Sequence, residues 1–137
     1  MLSPLSALLT KHQSMFHKVV PLDPQYQHVA AIDLSEAGKD IPPGIANDIV
    51  LFQQKIDQLR MERGATYLVG GYGELRSIYA RSGLFNTDSE PRRFHLGTDI
   101  WGEAGTPVFA FSGGMVHSIG YNEQFGDYGA TLILLHQ

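Results

Sequence analysis

The chain has 137 residues, 43% hydrophobic and 18% charged, enough for one ordinary globular domain with a real core. A net charge of -4 gives no reason to expect a nucleic-acid partner, and the lack of cysteine excludes a disulfide framework and a thiolate metal site. No apolar run approaches the ~18 residues of a membrane span, and Met1–Leu9 carries no basic leader. The chain as written therefore reads as cytoplasmic, or as one that has lost its leader.

Ser3-Pro4 reads as an N-cap followed by proline at the first helical position, and Leu5, Leu8, Leu9 and His12 follow at helical spacing. A short helix over about 4–15 is expected. Val19-Val20 is extended and stopped by Pro21, and residues 24–34 can form a second extended piece. Ser35–Pro43 is a polar loop. Ile45, Ile49, Phe52, Ile56 and Leu59 then step by four and three, one stripe of an amphipathic helix over about 43–63 with Gly64 as its C-cap. His12, His17 and His28 lie outside any metal spacing and read as surface or capping residues.

From Ala65 the texture changes. Tyr67-Leu68-Val69 runs into the glycine turn Gly70-Gly71-Tyr72-Gly73, and alternation resumes at Leu75–Tyr79. Asn86–Arg93 is a polar loop. From Phe94, strands alternate with tight turns at Gly105-Thr106-Pro107, Ser112-Gly113-Gly114 and Asp127-Tyr128-Gly129, and Thr131–Leu135 is an apolar strand. The expected fold is α+β: a helical N-terminal extension (1–64) packed on a mainly antiparallel β-sandwich or half-barrel (65–137).

The chemistry concentrates in Phe94-His95-Leu96-Gly97-Thr98-Asp99-Ile100-Trp101. His and Asp are both zinc ligands. On a straight strand their Cα atoms would stand about 13 Å apart. Two donors to one zinc lie only about 3.5 Å apart. The strand must therefore bend between them, and Gly97 permits it. His117, on a strand, and His136, closing one, are weaker ligand candidates; Glu74, Glu103 and Asp127 read as solvated turn residues.

The order Phe94-His95-x-Gly97-x-Asp99, Ala104-Gly105-Thr106-Pro107-Val108, Gly114-x-Val116, Gly126-x-x-Gly129 and Leu132–His136 resembles the lysostaphin-type zinc metallopeptidases, which cut peptide cross-links in bacterial cell walls. The resemblance covers about 66–137 and the first half of that catalytic domain, whose fold is of the duplicated-hybrid-motif kind. It implies one zinc ion on His95 and Asp99, with the ligand set incomplete. The family's later His-x-His, which supplies the third ligand and a catalytic imidazole, is not in this sequence, nor is its Tyr-x-His-Leu segment. A histidine at the position of His136 is not a ligand in the family. Gly73-Glu74-Leu75-Arg76 is similar to the Gly-x-Arg that opens the family's domain, with one more residue of spacing. With a complete set, zinc would bring the pKa of a water towards about 7 for peptide hydrolysis.

The resemblance thus implies a zinc metallopeptidase acting on peptide or peptidoglycan, inactive in this chain alone. Self-association, or further domains beyond Gln137, would complete it. Two alternatives stand beside it. One is a phosphoryl carrier like the sugar-phosphotransferase IIA domain, with His117 facing His95. The other is a non-catalytic binding or docking module, as in signal-less members of the family.

Overall fold

The structure, a computed structural model, describes residues 3–42, 44–76, 86, 87, 90, 91, 94–124 and 127–136. The fold is α+β, with two α-helices and several small sheets, mostly antiparallel, and no closed barrel among the described residues. Helix α1 spans Pro4–His12 and continues as a 3-10 turn over Gln13–Met15, close to the expected range. The Ser3 hydroxyl accepts from the Ser6 amide and Pro4 occupies the first turn.

The core is built around a βαβ unit. Strand β1 (Val29–Ile32) runs parallel to β2 (Tyr67–Gly70), and helix α2 (Ile49–Glu62) connects them. On the far side of β2 lies β7 (Ile100–Trp101), antiparallel, giving the order β1-β2-β7. The parallel pairing was not foreseen. It joins residues from both sides of the expected 64/65 boundary by backbone hydrogen bonds, beginning with the Thr66 amide on the His28 carbonyl at 2.8 Å.

Helix α2 starts later than its stripe suggests. A 3-10 turn covers Ile45–Asn47, and Asp48 then caps α2 by accepting from the amides of Val50 and Leu51. Phe52, Ile56 and Leu59 pack inward, while Ile49 stays exposed. The 14-residue helix measures about 21 Å. The four-residue strands β1 and β2 beneath it reach only about 13 Å. The helix is buried in its C-terminal half, at Ile56 and Leu59, while Ile49, Val50 and Leu51 in its first turn are exposed. Ile32, Leu34, Ile56, Leu59, Ala65 and Leu68 form the core cluster; Phe52 and Trp101 pack against it and meet each other edge-to-face, ring centroids 5.5 Å apart.

After the turn at 71–73, strand β3 (Glu74–Leu75) pairs antiparallel with β6 (Phe94–His95). The polar stretch expected to be a loop contains two short strands, β4 (Asn86–Thr87) and β5 (Glu90–Pro91), paired with each other. The alternation expected at residues 77–79, and positions 88, 89, 92 and 93 of that polar stretch, lie outside the described residues.

No strand forms between the turn at Gly105 and Gly114. Instead Val108–Phe111 is tied to the N-terminal segment by two bonds, the His17 amide to Phe111 O and the Phe109 amide to Val19 O. Strands β8 (Met115–Asn122) and β9 (Gly129–Leu135) then form a hairpin of their own. A bulge between Val116 and Ser118 sets His117 out of register. No helix among the described residues is long and apolar enough to cross a membrane.

Candidate functional site

The strands that carry the site belong to one interrupted ladder. Val69 pairs with Ile100 in the β2–β7 sheet, and Glu74 pairs with His95 in the β3–β6 sheet. Four residues on each strand, 70–73 and 96–99, separate these pairs, so the register carries through while the regular ladder is lost. The gap is bridged at both ends. The Gly70 amide donates to Asp99 O at 2.9 Å, and the Gly73 amide to His95 O at 2.7 Å. His95 and Asp99 thus have their own carbonyls fixed to the glycine turn opposite.

Within this interruption the chain bends as the spacing requires. His95 Nε2 lies 3.3 Å from Asp99 Oδ1, although four residues separate them in sequence. Gly97 gives the ring its space: a Cβ there would stand 3.1 Å from His95 Nε2. Both side chains are partly covered.

Beneath them sits Arg76, the largest fully buried side chain among the described residues, at 2% exposure. Its Nη1 is 2.5 Å from Asp99 Oδ2, while Nε and Nη2 reach Glu74 Oε2 at 2.9 and 2.7 Å. Glu74 Oε1 accepts from the Gly71 amide at 3.2 Å. A Cβ on Gly70 would come within 3.1 Å of Arg76 Nη2. A buried guanidinium is tolerable only when carboxylates match its fork, as two do here. The residues form a chain, Glu74–Arg76–Asp99–His95.

This corrects one reading. Glu74 is not a solvated turn residue: it lies in β3, its side chain is 15% exposed, and it holds Arg76. The overlooked signal was Glu74-x-Arg76, since residues two apart on a strand share a face. Glu103, by contrast, is exposed and loosely paired with Arg60 at 3.6 Å. Asp127 accepts from the Tyr128 amide.

The two later histidines make contacts of their own through Nδ1. His117 Nδ1 is 3.1 Å from Ser118 Oγ, and His136 Nδ1 donates to Gly113 O at 2.8 Å with its ring 4.9 Å from that of Phe111. Among the described residues no group of three or more His, Asp or Glu side chains converges to hold a metal. A cleft of about 530 Å³ opens along β1 and shares Gly70, Gly71 and Glu74 with the site, but neither His95 nor Asp99 lines it. It is therefore a neighbour of the His-Asp pair, not its container. No family model, curated protein or solved structure matches the chain.

Proposed function

We propose that this chain carries part of a lysostaphin-type zinc peptidase site, with His95 and Asp99 as the two ligands it contributes. The substrate class is the peptide bond, in cell-wall cross-links or glycine-rich peptides. The supporting observation is the 3.3 Å separation of His95 Nε2 and Asp99 Oδ1. Zinc bonds of about 2.0–2.1 Å at the tetrahedral angle place two donors about 3.4 Å apart. The donor chemistry, one imidazole and one carboxylate oxygen, suits zinc as well.

Zinc held there would supply Lewis acidity to a peptide carbonyl. The chain's own part is to hold the two donors at that spacing. Peptide hydrolysis also needs a third protein ligand and a proton-transfer group within about 3 Å of the reacting atoms. Among the described residues no third His, Asp or Glu side chain converges on His95 and Asp99, which argues for an incomplete centre in the isolated chain. The phosphoryl-carrier alternative requires a histidine facing His95. The Asp99 carboxylate lies within reach of His95 Nε2, which favours a cation there over a phosphoryl group.

Calorimetric titration of zinc into the wild-type chain, His95→Ala and Asp99→Ala tests this. One weak site is expected, lost in both variants, with no release of new amino termini from cross-linked cell-wall peptides. Unchanged affinity in both variants would place any metal elsewhere and end the reading. Zinc-dependent cleavage by a monomeric chain, lost in His95→Ala, would refute the inactivity and give His117 or His136 a catalytic role.

A further inference from the structure

We propose that Arg76 is a positioning residue that presents Asp99 to a metal ion through a single oxygen. This rests on the metal reading of His95 and Asp99 above, and deepens it.

The geometry divides the Asp99 carboxylate between two neighbours. Oδ2 faces Arg76 Nη1 at 2.5 Å, and Oδ1 faces His95 Nε2 at 3.3 Å. A carboxylate free to rotate can offer both oxygens to a cation or turn away from it. Here the guanidinium occupies Oδ2, so only Oδ1 is directed towards the imidazole donor. The guanidinium is planar and rigid, so the fork that grips Glu74 also fixes the direction in which Nη1 points. Glu74 Oε2 receives both Nε and Nη2, and Glu74 Oε1 is itself held by the Gly71 amide. Glu74 is also the cross-strand partner of His95, so the arginine's anchor and the imidazole share one ladder rung.

Charge points the same way. A lone buried cation touching Asp99 would oppose a second cation there. With Glu74 offsetting Arg76, the trio Glu74, Arg76 and Asp99 keeps one net negative charge. Partners that orient ligating groups commonly govern metal affinity by about 10–100-fold.

The test uses the full chain and measures zinc affinity by calorimetry, together with the visible absorption of bound cobalt(II), which responds to ligand number. Wild type, Arg76→Gln, Arg76→Lys, Glu74→Gln and His95→Ala are compared, with folding checked by circular dichroism. Arg76→Gln is expected to weaken zinc about 10–100-fold and to alter the cobalt spectrum as Asp99 is released. Arg76→Lys, which returns one cationic donor to Oδ2, is expected to recover part of the loss. Glu74→Gln should weaken binding by freeing the guanidinium to swing. If Arg76→Gln does not fold, Arg76→Lys and Glu74→Gln decide: wild-type affinity and spectrum in both overturn the proposal. A folded Arg76→Gln that matches wild type, while His95→Ala loses the site, overturns the positioning role and leaves the metal reading standing. A wild-type chain that binds neither zinc nor cobalt overturns both.

Discussion

Replacing Leu68 by alanine tests the core that carries the site. Leu68 is 0% exposed, on the central strand β2, among Ile32, Leu34, Ile56 and Leu59. The substitution removes three carbon atoms, about 2.4 kcal/mol at ~0.8 kcal/mol per buried methylene if the core closes fully over the gap. It will not close fully. Strand β2 is paired on both sides, to β1 and β7, and α2 lies across it, so the backbone has little freedom to collapse. A residual cavity raises the expected loss to about 3–5 kcal/mol. That is a large share of the roughly 5–15 kcal/mol that holds a domain together. The only tryptophan, Trp101, pairs with Leu68 across the sheet and packs on Phe52, so its fluorescence during urea unfolding reports this region. Leu5→Ala on helix α1, at 63% exposure, serves as the contrast and should change stability by no more than about 0.5 kcal/mol. A loss below about 1.5 kcal/mol for Leu68→Ala would mean that the βαβ unit is not the stabilising core.

Other outcomes follow from particular contacts. Partial burial pushes the Asp40 carboxyl up, but hydrogen bonds from Arg63 and the Asp33 amide, with the Arg63 and Lys55 charges, outweigh it and hold Asp40 below the ordinary carboxylate range. Its folded pKa is thus depressed: its stabilisation is full above the unfolded value of about 3.9 and is lost as pH falls through the folded value. Asp40→Asn should therefore lose stability relative to wild type at pH 6 and converge with it in strong acid; a gap that is the same at both pH values would contradict this. On the β8–β9 hairpin, Ile119 and Leu132 face each other and are 77% and 58% exposed, part of an apolar surface that a second copy of the chain can cover. Sedimentation should show concentration-dependent association that the double variant Ile119→Lys, Leu132→Lys abolishes; a monomer at all concentrations would rule it out.

What could be read from the residues, and what could not, divides along physical lines. Ser3-Pro4 places the start of α1 because capping is local, and a local rule needs no knowledge of the rest of the fold. The close approach of His95 and Asp99 was also legible, because a pair expected to share an ion requires a bent strand and Gly97 permits one. The start of α2 was misplaced because periodicity records which side of a helix is apolar, not how far the sheet beneath it extends. Asp48, the actual cap, was hidden inside that periodic stripe. The β1–β2 pairing was missed because a four-residue run such as Val29–Ile32 carries no sign of parallel or antiparallel partners. Glu74 was missed for a related reason. A charged residue after a glycine turn reads as solvated until the register sets it opposite His95, beside a buried Arg76.

The interruption between residues 70–73 and 96–99 also bears on how a metal would enter. A stretch that leaves a regular ladder must find other partners for its backbone groups or lose stability. Here the substitutes are the Gly70 amide on Asp99 O, the Gly73 amide on His95 O and the Gly71 amide on Glu74 Oε1. All three are made by the protein alone, and two of them fix the residues whose side chains would be ligands. Many small metal domains fold only when the ion binds, because nothing else holds their ligands together. Here three bonds within the protein itself hold the bend, and the expectation that follows is a backbone that keeps its shape without the ion. Zinc binding should accordingly leave the far-ultraviolet circular dichroism unchanged. In metal-free protein, the Gly70 and Gly73 amides should exchange with deuterium more slowly than the amide of exposed Leu96, which lies in the same interruption. If both glycine amides exchange as fast as Leu96 without metal and slow only on adding zinc, the site is assembled by the ion and the preformed bend is wrong.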